Sequence, residues 1–163
     1  MKNLLIVWHS LTGGTAMMVE AAMAGAEEEA ETRLVVKRAA SAGPDDLLAA
    51  DGYIFACPEN LASMAGVMKD FFDRAYYPAL DQIQGRPYAA MVCAGSDGEG
   101  TAHQIARIAT GWRLKAIAEP LIVITHAQAP TDIFSPKIIS AADLERCRSL
   151  GTMMAAGLAM GVF

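Results

Sequence analysis

Ile6-Val7-Trp8-His9-Ser10-Leu11-Thr12-Gly13-Gly14-Thr15 is the stretch that decides how this chain folds. The apolar run from Leu4 to Trp8 breaks into a turn rich in hydroxyls and glycine, and a helical pattern begins at once. A strand feeding such a turn, with a helix behind it, gathers backbone amides, hydroxyls and the positive end of a helix dipole at one point. That is an anion site. No Lys or Arg lies between Asn3 and Arg33, so an anion bound here is expected to be held by dipoles rather than by a cation.

Apolar runs recur along the chain at Leu4–Trp8, Leu34–Val36, Tyr53–Cys57, Tyr88–Cys93 and Leu121–Thr125. Segments of helical period separate them. After Ser63, the residues Met64, Val67, Met68, Phe71, Phe72 and Ala75 fall on one helical face. Lys69/Asp73 and Asp70/Arg74 stand at i,i+4 on the other, and Pro78 marks the expected end. Further helices are predicted over 14–29, 44–50, 101–115 and 141–160; the last carries Leu144, Cys147, Gly151, Met154 and Leu158 along one stripe. Strands alternating with helices imply right-handed parallel βαβ units, and near-continuous apolarity implies strands buried on both faces. The reading is a doubly wound α/β fold: one five-stranded parallel sheet between two helical layers, in one domain over 1–163. In such sheets the ligand sits beyond the carboxyl ends of the strands. The loops in question are 9–15, 58–63, 94–101 and 126–139.

Composition narrows the partners. The chain has 163 residues, is 53% hydrophobic and carries a formal net charge of −5 with no basic run. A nucleic-acid partner needs clustered cations and is not expected. The N-terminal apolar run is too short to span a membrane and has no signal-peptide cleavage pattern, so the expectation is a cytoplasmic protein without a membrane partner. Cys57, Cys93 and Cys147 have no metal-ligand spacing and read as small buried hydrophobes. His9, His103 and His126 are far apart, and no metal site is expected. The Met- and Ala-rich helices and a mean hydropathy of +0.27 fit a homo-oligomer.

The first loop differs from the common phosphate motifs. It lacks the Lys of a P-loop and the GxGxxG of a dinucleotide fingerprint. His9-Ser10 stands where a phospho-acceptor receiver needs acidic residues. What remains is a hydroxyl cradle, Ser10, Thr12 and Thr15, with Gly13 and Gly14 permitting close backbone approach, and it suits one terminal phosphate monoester. A Ser/Thr/Gly turn that merely caps a helix is the alternative.

The order Ser-x-Thr-Gly-x-Thr after the first strand resembles the FMN phosphate loop of the flavodoxin-like superfamily. Pro58, followed after five residues by Met64-Ala65-Gly66-Val67-Met68-Lys69-Asp70-Phe71-Phe72-Asp73-Arg74, resembles a segment of the NAD(P)H-dependent FMN reductases and quinone reductases. A third loop, Ala94 to Gly100, stands where that family has its third flavin loop. The resemblance covers about residues 3–115 and implies strand order 2-1-3-4-5. It implies that Ser10, Leu11, Thr12, Gly13, Gly14 and Thr15 hold the FMN phosphate. Pro58, Glu59, Asn60 and Leu61 would edge the isoalloxazine, with Ala94, Gly95 and Ser96 on the pyrimidine side. No side chain is required as acid or base, because the flavin carries the chemistry. Where the quinone reductases place an aromatic followed by Gly, this chain has Leu61-Ala62, and neither 58–63 nor 94–101 contains an aromatic. Ring stacking would come from Trp8, Phe134 or a partner subunit. Glu59, if it faced the ring, would lower the flavin potential.

The implied function is an FMN-binding oxidoreductase that takes electrons from NADH or NADPH and reduces a quinone or similar small acceptor. A flavodoxin-type one-electron carrier is the alternative, and a non-catalytic flavodoxin-like binding module a further one. A carrier calls for an acidic face around the flavin, whereas the acids here cluster at Glu27–Glu31, at the far end of the first helix from the loop. Ala94-Gly95-Ser96-Asp97-Gly98 also resembles a nucleophile elbow, with His126 after the fifth strand. Between them only Asp97, Glu99 and Glu119 are acidic, and none is placed to complete a triad.

Overall fold

The computed structural model describes residues 1–163. Every apolar run becomes a strand: β1 (Lys2–Trp8), β2 (Thr32–Arg38), β3 (Gly52–Asn60), β5 (Pro87–Ala94) and β7 (Leu121–Ile124). Two short strands join them, β4 (Ser63–Met64) and β6 (Lys115–Ala116). The helices are α1 (Gly14–Ala26), α2 (Pro44–Ala49), α3 (Gly66–Ala79), α4 (Glu99–Gly111), α5 (Pro130–Phe134) and α6 (Ala141–Met160).

The sheet runs β2-β1-β3-β5, and its last position is shared by β6 and β7, both parallel to β5. The expected order therefore stands, with its outer strand in two pieces. β6 pairs at Pro87↔Lys115 and Tyr88↔Ala116, and β7 resumes at Met91↔Leu121. The larger departure is at 58–63. The sequence suggests a plain loop, but β3 runs on past the sheet and β4 folds back antiparallel on it, with Glu59 opposite Met64 and Asn60 opposite Ser63.

Both faces of the sheet are covered, which is why its strands read as continuous apolar runs. Leu5, Val7, Phe55 and Cys57 face a core shared with Leu47 of α2, Phe71 and Phe72 of α3 and Ile105 of α4. Leu4, Ile6, Ile54 and Ala56 face the other core, with Met18 and Ala22 of α1 and Cys147 and Met154 of α6. All eight residues of β5, the strand inside both layers, are buried. The Ala- and Gly-rich stretch of α1 packs within the chain: a Cβ on Gly151 would overlap the Ala22 carbonyl, and one on Gly25 the Arg148 carbonyl.

Helix limits differ from the sequence reading at their ends. α1 stops at Ala26 and α4 at Gly111. α3 passes through Pro78 by one residue, since a proline in the last turn forfeits a single hydrogen bond. Arg74 leaves the exposed face of α3 to donate to the carbonyls of Ala42 and Ala39, each at 2.8 Å, so it anchors helix to sheet edge. No helix is long and apolar enough to cross a membrane.

Candidate functional site

Parallel strands put the carboxyl ends of β1, β3, β5 and β7 on one edge of the sheet, and the loops after them line it. In the first loop Gly13 adopts φ 97° and N-caps α1, a left-handed conformation that favours glycine. Its amide donates to Ser10 Oγ at 3.2 Å. A Cβ on Gly14 would stand 2.6 Å from Cys93 Sγ, so only glycine allows α1 to start this close to β5. Thr15 is 1% exposed, and its Oγ1 has no hydrogen-bond partner. A buried hydroxyl without a partner is costly, and beside helix-start amides that have no acceptor within α1 it suits an anionic acceptor; the Thr101 hydroxyl in the first turn of α4 is likewise buried without a partner. The residues present therefore fit a phosphate monoester. Leu11 is exposed at the outer edge of this cradle.

Two residues from distant parts of the chain, Arg38 and Lys137, pack around the loop. Arg38, at the end of β2, lays its guanidinium over the Trp8 ring, 3.7 Å from the centroid. Burial, with Arg38 adding to it, holds the His9 pKa below its ordinary value, so the imidazole is neutral at pH 7. Lys137 donates its amide to the Thr12 carbonyl at 3.0 Å, tying the 126–139 segment to the cradle. Its ammonium caps the end of α5 through the carbonyls of Asp132, Ile133 and Ser135. No spacing in the sequence announces Arg38 or Lys137, because the sheet order and a long connection deliver them.

The second loop is the β3–β4 hairpin. Leu61 and Ala62 form its turn with φ 53° and 58°. This is the two-residue geometry in which both positions are left-handed, for which Asn-Gly is the usual choice. Leu61 is wholly exposed at the tip, and Asn60 beside it is exposed. Glu59 does not project a free charge: its two carboxylate oxygens accept the amides of Gly98 at 2.9 Å and Thr101 at 3.1 Å. That carboxylate is thus the cap of α4, a role invisible from its place after Pro58.

In the third loop the Ala94 carbonyl accepts the Thr125 amide at 2.8 Å, and Gly95 lies so close to the Ala127 carbonyl that a Cβ would overlap it. Ser96 is exposed. It has no positive φ, as a strained nucleophile elbow would require, and shares no hydrogen bond with His126. Of the aromatics suggested for stacking, Trp8 already has one face under Arg38, and Phe134 on α5 is 73% exposed. Burial pushes the thiol of Cys57 up to about 12 and those of Cys93 and Cys147 to about 11. All three remain protonated and inert.

This architecture is that of the flavodoxin-like proteins. An archaeal flavodoxin superposes with a TM-score of 0.77 at 23% identity, covering 96% of this chain and 98% of that one. A WrbA-like protein from Agrobacterium tumefaciens gives 0.73 at 21% identity over 99% of each. Residues 27–129 match the family model for NADPH-dependent FMN reductase, and the chain belongs to that family. The match takes in the second and third loops and begins beyond the first. A flavodoxin from Aquifex aeolicus is 30% identical over 100 residues, 61% of this chain and 54% of its own length. An NAD(P)H dehydrogenase (quinone) from Acidithiobacillus ferrooxidans is 32% identical over 94 residues, 45% of this chain and 47% of its own. The chain spans about half the length of these curated relatives.

Proposed function

We propose that this chain binds FMN and works as an NAD(P)H-dependent oxidoreductase that reduces a quinone or a similar small acceptor. The observation that carries the reading is the cradle of the first loop, where the buried Thr15 hydroxyl has no partner and the start of α1 has no side-chain cap. Membership of the FMN reductase family supports the same ligand. In this reading Ser10, Leu11, Thr12, Gly13, Gly14 and Thr15 hold the phosphate. Pro58, Glu59, Asn60 and Leu61 border the ring on one side, and Ala94, Gly95 and Ser96 on the other. Bound flavin supplies the hydride and electron chemistry. The protein's part is to place the ring at the sheet edge and leave one face open to donor and acceptor.

A one-electron carrier is the second reading, supported by the similarity to the Aquifex flavodoxin. Against it, Glu28 lies at the far end of α1 from the cradle, paired with Arg148. The test is a titration with FMN followed by NADH or NADPH oxidation with a quinone present. Rapid turnover with stoichiometric FMN is expected. A protein that binds FMN but oxidises neither nucleotide supports the carrier; one that takes up no FMN refutes both readings.

A further inference from the structure

The β3–β4 hairpin is held in a turn that its own residues resist. Left-handed backbone crowds any residue that carries a Cβ, and here Leu61 and Ala62 both adopt it. Its restraints come from α4, some forty residues on. Gln104 Oε1 accepts the Met64 amide at 2.8 Å, and the Gln104 amide nitrogen donates to Ser63 Oγ at 2.9 Å. In the opposite direction, Glu59 caps the start of α4 through the amides of Gly98 and Thr101. Between these two clasps the Ala62 carbonyl rests against Gly100, where a Cβ would be 2.5 Å away. The second and third loops are therefore one mechanical unit, fastened at both ends.

We infer that Gln104, with Glu59, is a positioning residue for the flavin ring: the clasp fixes the strained hairpin against α4 and so sets the ring-side wall that ends at Leu61. The inference rests on the flavin reading above. Neither clasp involves the phosphate cradle, which belongs to β1 and α1. Loss of the clasp accordingly loosens the grip on the ring and leaves the grip on the phosphate as it was. A side chain with no acceptor at 104 leaves the Met64 amide unpaired and the turn unsupported.

The experiment compares the parent chain with Gln104→Leu, Gln104→Glu and the double variant Gln104→Leu/Ala62→Gly. FMN affinity is read by flavin fluorescence, competition by inorganic phosphate, and the midpoint potential of bound flavin by redox titration. Gln104→Leu is expected to weaken FMN binding about tenfold, the effect of the one backbone amide, that of Met64, left unpaired. It should also shift the potential while the inhibition constant of phosphate stays at its parental value. Gln104→Glu restores binding, because a carboxylate accepts both the Met64 amide and the Ser63 hydroxyl. Ala62→Gly recovers part of the loss, since glycine takes the left-handed turn without strain. Should Gln104→Leu not fold, Glu59→Gln carries the test with the same split between ring and phosphate. Parental affinity and potential in Gln104→Leu, or an equal loss of phosphate and ring binding, overturns the inference alone. A parent chain that takes up no FMN overturns the flavin reading and the inference together.

Discussion

Replacing Thr15 by Val is expected to move stability and ligand affinity in opposite directions. The Thr15 hydroxyl is buried, its residue is 1% exposed, and its oxygen has no partner. A buried polar group left unsatisfied costs ~1–3 kcal/mol, whereas Val has nearly the same shape and nothing to satisfy. Helix propensities of Thr and Val are close, so the backbone contributes little. The ligand-free variant should therefore be more stable by ~1 kcal/mol, about 2–4 °C in Tm for a chain of this size. With a phosphate in the cradle the sign reverses. A hydrogen bond to a charged acceptor contributes ~1.5–3 kcal/mol, so FMN affinity should fall about ten- to a hundredfold. The assay is thermal unfolding of parent and variant across an FMN titration. At a concentration of 100 Kd the ligand adds ~2.7 kcal/mol to the parent, so the two Tm curves should cross as FMN is raised. A variant less stable than the parent without ligand, yet equal to it in FMN affinity, would show that the hydroxyl serves the fold and not the ligand.

Two further outcomes test the scaffold. Gly151→Ala places a Cβ against the Ala22 carbonyl at the α1–α6 crossing, a backbone atom that no rotamer change can move. The gain of about 1 kcal/mol in helix propensity is outweighed, and a net loss of about 2 kcal/mol or more is expected from a urea melt; an unchanged or higher midpoint refutes the crossing. Asp51 predicts a pH effect. Burial pushes its carboxyl up, but the Asn3 amide at 2.8 Å and the Lys2 ammonium at 3.1 Å, with Arg86 further off, hold the net pKa below the ordinary value. A depressed folded-state carboxyl stabilises fully above its unfolded value of about 4 and loses that contribution as pH falls through the folded one. Asp51→Asn should therefore flatten the loss of stability below pH ~4. An acid limb identical to the parent's would rule out the linkage.

The sequence alone determined the five long strands, their alternation with helices and the Ser/Thr/Gly turn that opens α1. These follow from local rules. Burial on both faces makes Leu4–Val7 and Tyr53–Cys57 continuously apolar, and a Ser/Thr/Gly turn before a helix gathers donors within a few residues. The small residues of α1 were legible too, but not their use: only the packed pair shows Ala22 meeting Gly151 inside the chain. Tertiary structure decided everything that joins segments distant in sequence. It brought the Arg38 guanidinium over Trp8 and the Lys137 backbone amide onto the Thr12 carbonyl, contacts that no local pattern announces. It turned 58–63 from loop to hairpin, because a turn with left-handed Leu61 and Ala62 has no signature in residue type, and it set Gln104 of α4 against the Met64 amide. It also aimed the Glu59 carboxylate at the amides of α4, where the helix dipole and two hydrogen bonds hold the charge. Periodicity and composition act over a few residues, so they place elements; side-chain partners forty or more residues apart are chosen only when the sheet closes.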